Sequence, residues 1–216
     1  MTSHHSRFLQ LAIKVDALRF GEFTLKSGRR SPYFFNAGQF NSGAALAELA
    51  ACYADAVEAA ALDFDLLFGP AYKGIPLATA LGCEFARRGR DLPLAFNRKE
   101  AKEHGEGGRL IGAALAGRRA LIVDDVITAG TAIRESLAII AEAGGTPAGI
   151  VIALDRQERV REDANESAAQ SVASEHGIPV VAVAGLSDLL AFAGKSSELE
   201  AHRDTLLAYR TRYGIA

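Results

Sequence analysis

Between residues 121 and 132 the chain reads Leu-Ile-Val-Asp-Asp-Val-Ile-Thr-Ala-Gly-Thr-Ala. An apolar strand runs into two adjacent acids, Asp124 and Asp125, crosses a short loop and enters a helix near Thr131. That order of residue types suits a sugar phosphate. Amide N–H groups and the hydroxyls of Thr128 and Thr131 would converge on a helix amino terminus, whose unsatisfied donors and dipole favour an anion. Gly130 lets the backbone come close to such a ligand. Asp124 and Asp125 would offer acceptors at the strand end, where ribose hydroxyls could lie. Alone, an Asp-Asp pair would more simply cap a helix or sit in water. The Thr-x-Gly-Thr that follows tips the balance toward phosphate.

Four other places carry candidate chemistry. Pro70-Ala71-Tyr72-Lys73-Gly74 separates an expected strand from an expected helix, and its small residues permit a tight turn. The amides of that turn and Lys73 could face a pyrophosphate, although a lysine at a helix start is also simply solvated. The polar stretch 98–109, RKEAKEHGEGGR, places Arg98, Lys99, Lys102 and His104 within seven residues. Four cations so close repel one another unless an anion neutralises them. Glu100, Glu103 and Glu106 could do so in a solvated loop, but Gly105, Gly107 and Gly108 look like the hinges of a lid. Arg156 lies just past another expected strand, where a guanidinium can grip a carboxylate through two parallel bonds. Phe34 and Phe35 offer aromatic surface, worth about 1–3 kcal/mol if a base stacks on it; such a pair is more often core.

Elements must bring these residues together. Short apolar runs at 65–69, 94–96, 120–123, 149–154 and 179–183 predict buried strands. Stretches with helical spacing fall between them, at 44–60, 74–88 and 131–143, and a further helix is expected at 198–213. Regular exchange of strand and helix implies βαβ units and a parallel sheet covered on both faces, with ligands beyond the carboxyl ends of its strands. Residues 20–35 predict a hairpin turning at Lys26-Ser27-Gly28-Arg29, part of a small amino-terminal subdomain. The stretch 98–109 has no pattern of its own, which marks a functional or disordered connection.

Composition excludes several classes. Lys and Arg number 24 against 26 Asp and Glu, a net charge of −2, which is not the footprint of a general nucleic-acid binder. Hydrophobic residues form 49% of the chain, enough for an ordinary core. No apolar run is long enough for a transmembrane helix, and the first ten residues lack the apolar segment of a signal peptide. A cytoplasmic protein with no membrane partner is therefore expected. The two cysteines, Cys52 and Cys83, are neither a disulfide framework nor a zinc set.

VDDVITAGTA resembles the signature of type I phosphoribosyltransferases, which bind 5-phosphoribosyl 1-diphosphate (PRPP). Within that superfamily the chain resembles the bacterial orotate phosphoribosyltransferases through FGEFTLKSGRRSPYFFNAG (20–38), DLLFGPAYKGIPLA (65–78), FNRKEAKEHGEGG (96–108) and LDRQER (154–159). The resemblance implies an α/β fold with a parallel central sheet flanked by helices. It implies a single domain, 1–216, with an amino-terminal hood over about 1–40, a PRPP-binding core over about 60–185 and a mobile catalytic loop at 98–109.

It also implies roles. PRPP would be held by Lys26, by Tyr72 and Lys73 in the diphosphate loop, and by Arg98, Lys99, Lys102 and His104 of the lid. Asp124, Asp125, Val126, Ile127, Thr128, Ala129, Gly130, Thr131 and Ala132 would complete its site. Orotate would meet Lys26, Phe34, Phe35, Thr128 and Arg156. In the family the lid closes over the neighbouring subunit, so a homodimer with the lid acting in trans is expected. The reaction joins orotate N1 to C1 of the ribose 5-phosphate and releases pyrophosphate, in pyrimidine (UMP) biosynthesis. Because diphosphate leaves from an oxocarbenium-like carbon, the protein's task is chiefly electrostatic. Lys102 and Asp125 are the expected catalytic pair, Lys102 neutralising the leaving group. Mg²⁺ is implied, held by PRPP oxygens and water and not by protein side chains alone. Two alternatives share the PRPP string. A phosphoribosyltransferase for adenine, xanthine or uracil would have no use for Arg156 as a carboxylate grip. A PRPP-sensing regulator would need no cationic lid.

Overall fold

The computed structural model describes residues 3–25, 27–102, 108–128, 130–161, 163–195 and 199–215. Six of its strands form one sheet: β3 (Leu66–Gly69), β4 (Leu94–Lys102), β5 (Gly108–Gly112), β6 (Arg119–Asp124), β7 (Thr146–Asp155) and β8 (Val180–Gly185), in the order β5-β4-β3-β6-β7-β8. All neighbours run parallel except β4 and β5. Side chains along a strand alternate between faces, and the core divides accordingly. Leu67, Leu121, Val123 and Val151 join one apolar cluster, while Leu66, Phe68, Ile122 and Ile152 join the other.

Helices cover both clusters. On the first face lie α1 (His4–Lys14), α2 (Gly43–Ala59), α3 (Gly74–Arg87), α6 (Leu186–Ala193) and α7 (Glu200–Tyr213), through residues such as Leu9, Tyr53, Leu81, Leu189 and Leu206. On the second lie α4 (Thr131–Glu142) and α5 (Ala168–His176), through Ile133, Ile140 and Val172. Ser42 caps α2 by accepting from the Ala45 N–H, and Ser167 and Gln170 form a reciprocal capping box on α5. Among the described residues no helix is long and apolar enough to cross a membrane.

The hairpin forms as expected. β1 (Leu18–Thr24) pairs antiparallel with β2 (Arg30–Phe35), from Leu18 opposite Phe35 to Thr24 opposite Arg30. β2 rests on α7, where the fully buried Tyr33 meets Tyr209 edge-on at 6.0 Å.

One stretch departs from expectation. The strand predicted at 94–96 continues to Lys102, with an irregularity in the pairing between Asn97 and Lys102, and a further strand begins at Gly108, so the described ends of 98–109 are extended strand rather than patternless loop. Asn97 sits opposite Leu110 and Lys102 opposite Gly108. Antiparallel pairing uses main-chain groups alone, so a run of charged side chains can extend a strand that has left the core. Residues 103–107, including His104, lie outside the described residues.

The strand order locates the site. From β3 the chain moves outward to β4 and β5, then returns to begin β6 on the other side of β3. Connections therefore diverge between β3 and β6, and ligands of open α/β sheets bind at such a divergence, beyond the carboxyl ends.

Candidate active site

Two loops leave that edge side by side, residues 70–73 after β3 and 125–130 after β6, and an ion pair ties them together. Lys73 Nζ lies 2.6 Å from Asp125 Oδ2. The first loop approaches the sheet closely because of two glycines. A Cβ on Gly69 would stand 2.5 Å from the Gly74 carbonyl oxygen, and one on Gly74 would stand 2.4 Å from Pro70 Cδ and 2.7 Å from the Val123 carbonyl oxygen. The Ala71–Tyr72 peptide is cis. Asn97, buried in β4, holds the loop by accepting the Ala71 N–H at 2.6 Å. Tyr72 is 69% exposed, and Lys99 Nζ sits 5.0 Å from its ring.

The second loop is anchored through its acids. Asp124 Oδ1 accepts the Asp125 N–H at 2.9 Å, and Asp125 Oδ1 accepts the Val126 N–H at 3.0 Å. The hydroxyl of Tyr53, buried in α2, donates to the Asp124 carbonyl at 2.8 Å. Burial, and then the charge of Asp125, push the Asp124 carboxyl up to about 7. Val126 and Ile127 turn their side chains into the core, so only their backbone can serve a ligand. Thr128, Thr131 and Ala132 are exposed, and Ala129 lies outside the described residues.

Gly130 takes φ +70° and is the amino cap of α4, with no side-chain hydrogen bond to the helix. The first intrahelical bond joins the Arg134 N–H to the Gly130 carbonyl at 2.9 Å. The three amides before Arg134, at 131–133, point out of the helix end. α3 likewise begins without a side-chain cap, at Lys73. Two helix ends with uncommitted donors thus meet where the sheet diverges, a setting for two anionic groups on one ligand.

Arg156 follows β7, the next strand across, and its guanidinium is well occupied. Nε donates to Glu158 Oε1 at 2.7 Å, and Nη2 donates to the Ser31 hydroxyl at 3.0 Å and the Tyr209 hydroxyl at 3.3 Å. Its Cζ stacks 4.3 Å from the Tyr33 ring centroid. Hairpin, strand end and α7 are joined at this one residue. The two phenylalanines are split between faces of β2. Phe34 stacks on Phe23 at 5.5 Å, whereas Phe35 packs against Phe8 and Phe40 at the core.

Arg98 and Lys99 stand on β4 as it runs past the edge, one strand from the 70–73 loop. Lys102 ends that strand; Lys26, like His104, lies outside the described residues. Sequence reasoning missed Asn97, Tyr53, Glu158, Ser31 and Tyr209, all of which hold the loops or Arg156. An asparagine closing the apolar run Leu94–Phe96 was the one signal available for Asn97.

Comparison with known proteins decides the family. Residues 38–179 match the phosphoribosyl transferase domain. The orotate phosphoribosyltransferase of Xanthomonas axonopodis pv. citri is 74% identical over 214 residues, 99% of this chain and 98% of the relative. The chain belongs to the orotate phosphoribosyltransferase family. The orotate phosphoribosyltransferase of Stenotrophomonas maltophilia is 68% identical over 215 residues, 100% of this chain to the nearest percent and 98% of the relative. The crystal structure of the Francisella tularensis orotate phosphoribosyltransferase superposes with a TM-score of 0.85 at 41% identity, covering 96% of this chain and 98% of that one. An orotate phosphoribosyltransferase fold thus places the paired acids, both loops and Arg156 along one sheet edge.

Proposed function

We infer that the chain transfers ribose 5-phosphate from PRPP to N1 of orotate, giving orotidine 5′-monophosphate and pyrophosphate in UMP biosynthesis. One observation carries this: two uncapped helix ends and the Lys73–Asp125 pair meet at the β3/β6 divergence, with Arg156 at the end of the next strand but one from β3. The amides at 131–133 and the hydroxyls of Thr128 and Thr131 take the 5-phosphate. Lys73 and the 70–73 loop take the diphosphate, and Asp124 and Asp125 accept from the ribose hydroxyls. Arg156, still held by Glu158, presents the rest of its fork to the orotate carboxylate.

In the reaction the C1–O bond to diphosphate breaks, the C1–N1 bond forms, and the N1 proton departs. Positive charge develops at C1 and negative charge on the leaving group, so fixed charges aimed at both lower the barrier. Asp125 lies on the ribose side and Lys73 on the diphosphate side of their own ion pair; PRPP would enter by separating them. Lys102 supplies a further cation to the leaving group, and in a homodimer the 98–109 segment reaches the neighbouring subunit. Lys26 and His104 complete the cation set, and the setting is the cytoplasm.

Mg²⁺ fits this edge as a companion of PRPP. Among the described residues no three His, Cys, Asp or Glu side chains gather to hold an ion, and the two acids at this edge, Asp124 and Asp125, are assigned to the ribose hydroxyls. Diphosphate oxygens and water would hold it, and it would supply neutralisation of the leaving charge. The test is loss of orotate ultraviolet absorbance with PRPP and Mg²⁺, with adenine and uracil in parallel. Loss that requires both PRPP and Mg²⁺ is the expected result. Turnover of adenine or uracil in its place would refute the assignment of the base.

A further inference from the structure

Four arginines crowd a second cavity that this reaction does not use. Arg29 in the hairpin turn, Arg159 and Arg161 after β7, and Arg212 on α7 line a pocket of about 230 Å³ together with Tyr213. The Tyr213 ring has a guanidinium near it twice, with Arg29 at 5.1 Å and Arg212 at 5.0 Å from its centroid. Backbone oxygens fix two of the forks: Arg29 donates to the Arg159 carbonyl at 2.9 Å, and Arg159 to the Arg212 carbonyl at 2.6 Å. Such bonds orient a cation without neutralising it.

Compensating acids are few among the described residues. Among the described residues, the carboxylates in ion-pair range are Glu158, 3.3 Å from Arg29 and shared with Arg156, and Asp163, 3.3 Å from the largely exposed Arg161. Positive charge is therefore concentrated here in a chain whose net charge is −2. Like charges held this close favour whatever anion can join them. Planar forks arriving from several directions match a tetrahedral phosphate, whose oxygens accept from more than one guanidinium. Arg212 and Tyr213 also form one wall of a more open groove of about 390 Å³, lined further by Pro32, Ala208 and Tyr209 and by the polar Glu22, Arg30 and His202. A ligand with its anionic head among the arginines would have an apolar wall beside it.

We propose that the pocket of Arg29, Arg159, Arg161 and Arg212 is a second anion site, which takes the phosphate or diphosphate group of a small phosphorylated molecule. It rests on the proposed function only in that the first phosphate site is assigned to the loops at 70–73 and 125–130. The test is calorimetric titration of the full chain with Mg-free pyrophosphate, against chloride at matched ionic strength. Arg29 is left intact because it shares Glu158 with Arg156.

Wild type is expected to take two equivalents per chain. Arg159→Gln with Arg212→Gln should take one and keep its turnover without added anion. Lys73→Ala with Thr131→Ala should lose the other equivalent. Arg161→Gln, at an exposed side chain whose loss disturbs no packing, should weaken the second equivalent by roughly tenfold or more. A single equivalent that survives all three arginine substitutions would overturn the site, as would heat that chloride reproduces. If the one equivalent seen vanishes with the arginines and ignores the loop variant, the second site stands and the active-site assignment fails.

Discussion

Removing one charge at Asp124 tests the electrostatics of the sheet edge directly. Asp124 is 9% exposed, and burial and then the charge of Asp125 push its carboxyl from 3.8 up to about 7. Between those values the folded chain keeps a proton that the unfolded chain has already released. Stability from this group is thus complete below about pH 4, falls as pH rises, and is level above about pH 7. A shift of about three units corresponds to about 4 kcal/mol at most. Relaxation and water around a real buried carboxylate reduce it to about 2 kcal/mol.

Asp124→Asn has the same shape, keeps an oxygen for the Asp125 N–H, and carries no charge. The variant should match wild type near pH 4 and exceed it by about 2 kcal/mol near pH 8, or about 4–8 °C in Tm for a chain of this size. Calorimetric unfolding of both proteins across that range is the assay. A stability gap that does not change with pH, or a variant less stable than wild type near pH 8, would refute the assignment of a costly buried carboxylate. The same variant should lose turnover, because an amide nitrogen replaces one acceptor for the ribose hydroxyls.

Arg156→Ala should raise the orotate KM by roughly 10- to 100-fold, the range for a charge-assisted bond, and leave the PRPP KM nearly unchanged; equal losses for both substrates would remove Arg156 from the base site. Gly74→Ala must push a methyl group against Pro70 and the Val123 carbonyl. It should cost about 1–3 kcal/mol of stability and weaken PRPP, and an unaltered Tm with unaltered PRPP KM would show that the close approach does not matter. Lys102→Ala and Asp125→Ala subunits, each inactive alone, should recover activity when mixed if the lid works across subunits. No recovery despite proven subunit exchange would place the lid over its own chain.

The parallel sheet was legible because its strands are buried on both faces and read as unbroken apolar runs, as in Ala120–Val123 and Gly149–Leu154. The loop after β6 was legible for a related reason: Gly130 and the small polar residues beside it mark the passage from strand to helix. β5 was not legible, since its apolar content is only Leu110 and Ile111 between glycines, too short a run to show a period. α5 was missed although Ser167 and Gln170 stand at capping-box spacing, because it buries only Ala169 and Val172 and has little stripe to find. The surroundings of Arg156 were the least visible. Ser31 and Tyr209 lie 125 and 53 residues from it in the chain, and no local rule joins them.

The bare amino ends of α3 and α4 bear on how this protein behaves outside a crowded cell. α1, α2 and α5 carry their own stopper, Ser3, Ser42 or Ser167, which stays in place whatever the solvent holds. α3 and α4 have none, and under the proposed function the stopper is borrowed from a metabolite. Any anion that seats on those amides in the folded chain alone adds a stabilisation of RT ln(1 + [L]/Kd). Under the proposed function, ruggedness in the test tube should track the phosphate content of the buffer, and two laboratories using different salts should measure two different melting points for one sequence. In the cell the same linkage should, under that function, make persistence follow supply: chains facing abundant PRPP should resist unfolding and proteolysis, and chains deprived of it should turn over first.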